Sequence, residues 1–144
     1  MIQDTDLRIF VVDDEPFYLN FFQQYVVNLG YEDVSIFEDG NDCLMALNQN
    51  PDVIFLDFNM DSLNGYEVLK KIKRYDPNIY VVIISGQDKI EPAIEVLKHG
   101  AFDYIQKGDY EEIKIKEVLQ RILEVRDLMV RTKPGFVKSM LRFF

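Results

Sequence analysis

The sequence predicts an α/β fold of the (βα)5 type, a doubly wound sheet of five parallel strands. Strand-like and helix-like segments alternate with short connections along most of the chain. Continuous apolar runs, such as residues 53–56 and 80–84, are typical of strands in a parallel sheet covered on both faces. Because crossovers between parallel strands are right-handed, an open sheet with helices on both faces is the expected arrangement.

The five predicted strands are short runs rich in β-branched and aromatic residues, bounded by polar or turn-forming residues. In chain order they cover residues 7–12, 31–37, 53–56, 79–84 and 102–106.

The first predicted helix begins at Pro16, whose missing N–H costs nothing in a first turn, and Gly30 ends it. The second helix covers residues 39–47, with Leu44 and Leu47 directed inward. Large apolar residues recur in the first helix at helical spacing: Phe17, Phe21, Phe22, Tyr25, Val26 and Leu29.

The other three helices follow the third, fourth and fifth strands. The third comes after a loop through Asn64 and Gly65, and the fourth has Pro92 in its first turn and ends at Gly100. The fifth runs from about residue 109 to residue 130. Their apolar positions are Val68, Leu69 and Ile72, then Ile94 and Leu97, and finally Ile115, Val118, Leu119, Ile122 and Val125.

Length and composition predict one cytoplasmic domain. The 144 residues suffice for one core, and no run approaches the roughly 20 apolar residues that span a bilayer. A single cysteine, Cys43, allows no internal disulfide, fits a reducing compartment and is expected in the core. The net charge is −9, and residues 131–144 carry four basic residues and no acidic one, which leaves −13 on residues 1–130. So acidic a body is not expected to bind nucleic acid.

Residues 131–144 are predicted to form a basic amphipathic tail rather than an output domain, with the main domain at 1–130. Pro134–Gly135 interrupts the last helix, and five apolar residues after it share one helical face: Phe136, Val137, Met140, Leu141 and Phe144. Such a helix is too short to be stable alone. It would dock on its own acidic domain, on a second copy or target protein, or on an anionic membrane. Docking on protein is the preferred hypothesis.

Polar groups stand at the ends of four predicted strands: Asp13–Asp14, Asp57, Ser85 and Lys107. In open α/β sheets, sites form beyond the carboxyl ends of strands where the strand order reverses. With order 2-1-3-4-5, the three aspartates would crowd together and require a counter-charge. Mg²⁺ prefers such oxygen ligands and keeps several waters. Each residue alone is more often a turn, a cap or a solvated side chain, but their shared edge favours a functional site.

These residues occur in patterns that resemble the receiver domains of bacterial response regulators. The similar segments are residues 11–15, residues 55–60 with Gly65, residues 84–86 and residues 100–107, within a match over roughly residues 6–130. The resemblance implies the flavodoxin-like strand order 2-1-3-4-5. It also implies a signalling phosphoacceptor rather than an enzyme.

The resemblance further implies a role for each site residue. Asp57 would accept a phosphoryl group from a sensor histidine kinase or a phosphotransfer protein, and Lys107 would neutralise charge on the phosphoryl oxygens. Mg²⁺, or Mn²⁺, would be held by Asp14, by Asp57, by the backbone carbonyl of Asn59, and by Asp13 largely through water.

Ser85 and Tyr104 are implied as the switch. Ser85 would donate a hydrogen bond to the phosphoryl group, and its movement would free space for Tyr104. The surface of the fourth helix, fifth strand and fifth helix would then change its binding to a downstream target protein. That surface or the tail could also support oligomers.

Two positions depart from the usual family pattern. Gly108 follows Lys107 where proline is usual, and Asp61 stands four residues after Asp57 where proline is usual. A cis peptide before a non-proline residue costs about 3–4 kcal/mol, so the Lys107–Gly108 bond is predicted to be trans.

Three other classes of protein are alternatives to this interpretation. A receiver-like module that signals without phosphate is disfavoured by the complete set of site residues. Phosphohydrolases of the haloacid dehalogenase type carry an Asp-x-Asp motif and a cap over the substrate, whereas in this chain Asp13 and Asp14 are adjacent. A flavodoxin-like flavin carrier has a hydroxyl-rich phosphate loop, whereas the acidic residues 13–15 would repel phosphate.

Overall fold

The computed structural model describes residues 6–60, 64–86 and 90–131. Five parallel strands form one sheet with the order β2-β1-β3-β4-β5, which confirms the predicted doubly wound (βα)5 fold. The elements in chain order are β1 (Ile9–Val12), α1 (Pro16–Asn28), β2 (Val34–Phe37), α2 (Gly40–Met45), a 3-10 turn (Leu47–Gln49), β3 (Val53–Asp57), α3 (Gly65–Tyr75), β4 (Tyr80–Ser85), α4 (Ile90–Lys98), β5 (Asp103–Gln106) and α5 (Glu111–Arg131).

Two hydrophobic layers cover the sheet because alternate residues of each strand point to opposite faces. In β1, Ile9 and Val11 pack with α1 and α5, whereas Phe10 and Val12 pack with α2, α3 and α4. The central strands are buried on both faces, as the continuous apolar runs predicted. Cys43 lies in the second layer, fully buried, as expected for a core residue.

Helix boundaries follow local chemistry. The Asn64 side chain accepts a hydrogen bond from the Glu67 amide (2.9 Å) and caps α3 at its start. Pro16 is the first residue of α1, and Gly30 has a φ of 107°, a left-handed conformation that favours glycine after a helix. The predicted inward residues of α3 and α5 are confirmed except that Val125 is only partly buried.

The predicted apolar face of α1 was partly wrong. Phe17 and Phe21 are 80% and 51% exposed, while Leu19, which the prediction omitted, is fully buried with Phe22 and Val26. The run of apolar residues covers more than half of the helix circumference, so the sequence alone does not decide which stripe faces the sheet.

Other differences are small. The strands β1 and β2 begin at Ile9 and Val34, later than predicted, although Leu7 and Tyr31 are buried. Helix α2 ends at Met45, and Leu47 reaches the core from the following 3-10 turn. In α4 the predicted Ile94 and Leu97 are about half exposed, whereas Val96 is fully buried.

The Lys107–Gly108 bond is trans, since no cis peptide occurs in the described ranges. The predictions for Asp61 and for residues 132–144 concern positions outside those ranges. Among the described helices, none combines the length and the apolar character required to cross a membrane.

Candidate functional site

The carboxyl ends of β1, β3, β4 and β5 meet at one edge of the sheet. Val12 of β1 pairs with Leu56 of β3, so Asp13 and Asp57, which follow them, lie side by side. Ser85 is the last residue of β4, next to β3 in the sheet. The parallel arrangement therefore gathers residues that are far apart in sequence.

Three carboxylates form a cluster at this edge. Asp13 and Asp57 are only 1% and 5% exposed, whereas Asp14 is exposed. One carboxylate oxygen of each lies within 4.8 Å of the other two. Local backbone groups orient two of them: the Glu15 amide donates to Asp13 Oδ1 (2.9 Å), and the Asn59 amide donates to Asp57 Oδ1 (3.4 Å). The structure thus brings together the aspartates identified in the sequence, with Asn59 beside them.

Lys107 supplies the positive charge of the site. Its Nζ donates to Asp13 Oδ2 over 2.9 Å and lies 3.7 Å from Asp57 Oδ1. Its backbone amide donates to the Ser85 carbonyl (2.8 Å), which fixes the chain immediately after β5. The ammonium therefore bridges the two buried carboxylates.

Burial and like charge make Asp57 harder to ionise than an ordinary aspartate. Burial, and after it the neighbouring Asp13 charge, together raise the pKa of Asp57 to about 6. Lys107 and the Asn59 amide lower that pKa, but they do not compensate fully. One lysine thus leaves the cluster short of positive charge.

A divalent cation fits this donor set. The cluster offers carboxylate oxygens only, two at the floor of the site and one, from Asp14, on the solvent side. Hard cations such as Mg²⁺ take oxygen ligands and retain waters, which an exposed side accommodates. The incomplete neutralisation of Asp57 is a second reason for a cation to bind here.

Ser85 and Tyr104 share one face of the sheet. Ser85 pairs with Gln106 of β5, and Tyr104 lies two residues before Gln106, so its side chain points to the same side. Ser85 is fully buried, and Tyr104 is partly buried against the layer that contains α3 and α4.

Gly65 lies against the loop that follows Asp57. A Cβ at this position would approach the Asp57 carbonyl oxygen and the Phe58 Cα to 2.7 Å, which is closer than real Cβ contacts. The Gly65 amide donates to the Phe58 carbonyl (2.9 Å). Close backbone approach is thus the physical reason for a glycine eight residues after Asp57. The sequence pattern contained this glycine but gave no reason for it.

Two residues near Lys107 were missed by the sequence analysis. The Lys107 ammonium lies 4.1 Å from the centroid of the Tyr18 ring, and the Tyr18 hydroxyl donates to Glu111 Oε1. Nothing in the sequence distinguishes Tyr18 from the other aromatic residues of α1. Only the folded structure reveals the role of Tyr18, because its contacts join α1 to the start of α5.

Comparison with known proteins gives a consistent result. A family model described as the response regulator receiver domain matches residues 9–122. The chain is similar to the chemotaxis protein CheY of Thermotoga maritima, with 27% identity over 116 residues, which are 80% of this chain and 96% of that protein. It is also similar to the nitrogen assimilation regulatory protein NtrX of Azorhizobium caulinodans, with 33% identity over 136 residues, 88% of this chain and 30% of NtrX.

Solved structures show the same likeness. A crystal structure of NtrX from Brucella abortus has a TM-score of 0.78 and 32% identity over 85% of this chain and 28% of that chain. A CheY-like receiver domain protein from Methanospirillum hungatei has a TM-score of 0.75 over 85% of this chain and 98% of that one; at 23% identity it shows the fold alone. The chain therefore spans nearly all of the chemotaxis protein and less than a third of the longer regulators.

Proposed function

Since the chain belongs to the response regulator receiver domain family, we propose that it accepts a phosphoryl group on Asp57 from a sensor histidine kinase or a phosphotransfer protein, and signals by changing its partner binding. The observation that carries the proposal is the buried Asp57 carboxylate, with the Lys107 ammonium 3.7 Å away and the Asp13 and Asp14 carboxylates beside it.

In the proposed step, an Asp57 carboxylate oxygen attacks the phosphorus of a phosphohistidine. The P–O bond of an acyl phosphate forms while the P–N bond breaks, and the imidazole leaves with the electron pair of that bond. Lys107, now paired with Asp13, offers its ammonium to the equatorial phosphoryl oxygens. Fixed positive charge at those oxygens is the main assistance that a phosphoryl transfer can receive.

Asp14, Asp57, the backbone carbonyl of Asn59 and, largely through water, Asp13 would hold Mg²⁺ or Mn²⁺. A bound cation neutralises negative charge on both the carboxylates and the phosphoryl oxygens. The residues themselves contribute an oxygen-lined floor that excludes most water, because Asp13 and Asp57 are buried.

Ser85 and Tyr104 would report the modification. Ser85 would donate its hydroxyl hydrogen to a phosphoryl oxygen, and Tyr104, on the same face of the sheet, would move toward the space that Ser85 leaves. The altered surface lies on α4, β5 and α5, where a downstream target protein or a second copy would bind. This is a two-state element biased by one modification.

We further propose that this receiver acts in the cytoplasm, without binding nucleic acid, and passes its signal to a separate protein. The acidic charge of residues 1–130 and the similarity over 96% of the chemotaxis protein support this mode. Isolation from its native source would test it: a mass above that of residues 1–144, with an attached DNA-binding domain, would contradict the proposal.

Incubation with acetyl phosphate and Mg²⁺, followed by intact mass measurement, tests the phosphoacceptor. We expect one added phosphoryl group in the wild-type protein and none in Asp57→Asn. Asp52→Asn is the matched control, because Asp52 precedes the opposite end of β3 and accepts from the Arg8 amide (2.8 Å). Labelling of Asp57→Asn at the wild-type level would contradict the site, and an unlabelled wild-type protein would contradict the function.

A further inference from the structure

We infer that Tyr18, held by Glu111, is a positioning residue that keeps the Lys107 ammonium beside Asp57. The inference rests on the proposed function, because the role of Tyr18 is to direct the Lys107 ammonium toward a phosphoryl group on Asp57. It starts from the contact between the Lys107 ammonium and the Tyr18 ring, at 4.1 Å from the ring centroid.

The backbone around Lys107 does not fix the direction of its long side chain. The Lys107 amide is fixed by the Ser85 carbonyl at 2.8 Å, but the next residue is Gly108, where an added Cβ would meet no atom within 4 Å. A lysine side chain has four rotatable bonds and keeps most of its freedom unless its head is held. The position of the ammonium therefore depends on the groups that contact it.

Those groups are two carboxylates and one aromatic ring. Asp13 and Asp57 attract it electrostatically, at 2.9 and 3.7 Å. The Tyr18 ring presents its electron-rich face, which attracts a cation without carrying a full charge. When a phosphoryl group arrives, the ammonium must exchange part of its contact with Asp13 for contact with the phosphoryl oxygens. A neutral ring can hold the ammonium within reach during that exchange and does not compete for it as another carboxylate would.

Tyr18 is itself anchored at both ends. Its ring packs against the buried Phe22, with centroids 6.0 Å apart, and its hydroxyl donates to Glu111 Oε1. Glu111 is the first residue of α5, and its amide donates to the Gly108 carbonyl (3.2 Å). We call Tyr18 and Glu111 the clamp of Lys107. Its contacts run from α1 to the start of α5 and from there back to Gly108, the residue after Lys107.

The first test measures the rate of phosphorylation by acetyl phosphate at saturating Mg²⁺. Tyr18→Leu should react about five- to tenfold more slowly than wild type, since the cation–π contact is lost. Tyr18→Phe keeps the ring and loses only the anchor, so its rate should fall by no more than about threefold.

Tyr25→Leu is the matched control. Tyr25 lies on the same helix and also joins α1 to α5, because its hydroxyl donates to the Glu112 carbonyl (2.7 Å). Its loss should leave the rate within about twofold of wild type, even if the melting temperature falls. Equal slowing by Tyr18→Leu and Tyr25→Leu would overturn the inference, since it would indicate a general weakening of the α1–α5 contact.

The second test does not depend on phosphorylation. A short pulse of an amine-acetylating reagent, read by peptide mass spectrometry, reports how accessible Lys107 is relative to the exposed Lys114 and Lys116 of α5. Release of the clamp in Tyr18→Leu should raise Lys107 acetylation about threefold or more relative to those lysines. Tyr25→Leu should leave the ratio unchanged.

The two measurements separate the two ideas. A wild-type protein that takes no phosphoryl group defeats the proposed function, and the acetylation ratio then decides the clamp alone. Unchanged Lys107 acetylation in Tyr18→Leu overturns the inference whatever the phosphorylation result. Where the wild-type protein is phosphorylated, an unchanged rate in Tyr18→Leu overturns it as well.

Discussion

At the scale of single residues, the site depends on how strongly water is excluded from Asp57. The carboxylate is 5% exposed and lies beside Asp13, so burial and like charge together raise its pKa to about 6. The same surroundings leave ionised Asp57 poorly solvated, which favours any process that brings positive charge to it. The ionised Asp57 carboxylate therefore favours cation binding, but it lowers the stability of the fold when no metal is bound. The two effects oppose each other.

This opposition predicts a pH dependence. The pKa of Asp57 is raised in the folded protein from an ordinary 3.8 to about 6, so its contribution to stability is complete below about pH 4 and is lost as pH rises through 6. Asp57→Asn cannot ionise, so we expect it to be more stable than metal-free wild type at pH 7. The gain should be at most about 3 kcal/mol, because one pKa unit corresponds to about 1.4 kcal/mol.

Urea unfolding in the presence of a chelator, from pH 3.5 to pH 7.5, measures this difference. The two proteins should agree at the acidic end and diverge between about pH 4 and pH 6. Glu32→Gln, at an exposed carboxylate outside the site, is the control and should show no such divergence. A gain for Asp57→Asn that is the same at all pH values would contradict the explanation.

Gly65 provides a second test at this scale. Gly65→Ala would place a Cβ 2.7 Å from backbone atoms of Asp57 and Phe58, and backbone moves less easily than a flexible side chain. We expect a loss of about 1–3 kcal/mol in the free energy of unfolding, together with weaker Mg²⁺ binding. Gly86→Ala is the control, because a Cβ there meets nothing within 4 Å. Equal stability of the two variants would show that the loop after Asp57 adjusts freely.

At the scale of elements, the sequence predicted strands and turns better than helix faces. The strand ends were predictable because apolar runs stop at polar residues, and parallel strands bring those ends to one edge. The orientation of α1 was not, since its apolar residues exceed one face and only packing against β3 and α5 selects Leu19, Phe22 and Val26. The Tyr18 contact escaped prediction for the same reason, because it depends on that orientation.

The orientation of α1 is testable through two phenylalanines of the same helix. Phe22 is 1% exposed and packs on Phe55, with ring centroids 4.9 Å apart, whereas Phe17 is 80% exposed. Phe22→Ala should lower the free energy of unfolding by about 3–5 kcal/mol, and Phe17→Ala should change it by less than about 0.5 kcal/mol. Chemical denaturation distinguishes these values easily. A large loss for Phe17→Ala would mean that the helix is rotated relative to the described arrangement.

At the scale of the whole molecule, the two edges of the sheet differ in character. The carboxyl edge carries the charged site, while the opposite edge has a groove of about 820 Å³. The groove is lined at one side by the last turns of α5, including Val125, Arg126, Met129 and Val130. Helix α5 starts at Glu111 near the site and runs for 21 residues, about 30 Å at 1.5 Å per residue. The end of α5 at Arg131 is therefore far along the helix from the end that lies near Asp57.

That distance shapes the prediction for the basic tail. We expect a protein surface to cover the five apolar residues of the predicted helical face, because the acidic domain or a second copy would provide complementary charge. Truncation after Arg131 should lower the melting temperature if the tail covers its own domain, or reduce self-association if it covers a second copy. Thermal unfolding and sedimentation velocity at several concentrations separate these outcomes. Phosphorylation of Asp57 should proceed at the full-length rate, because the tail begins about 30 Å along α5 from the site. A truncated protein with the same melting temperature, oligomeric state and partner binding would show that residues 132–144 are only a solvated end.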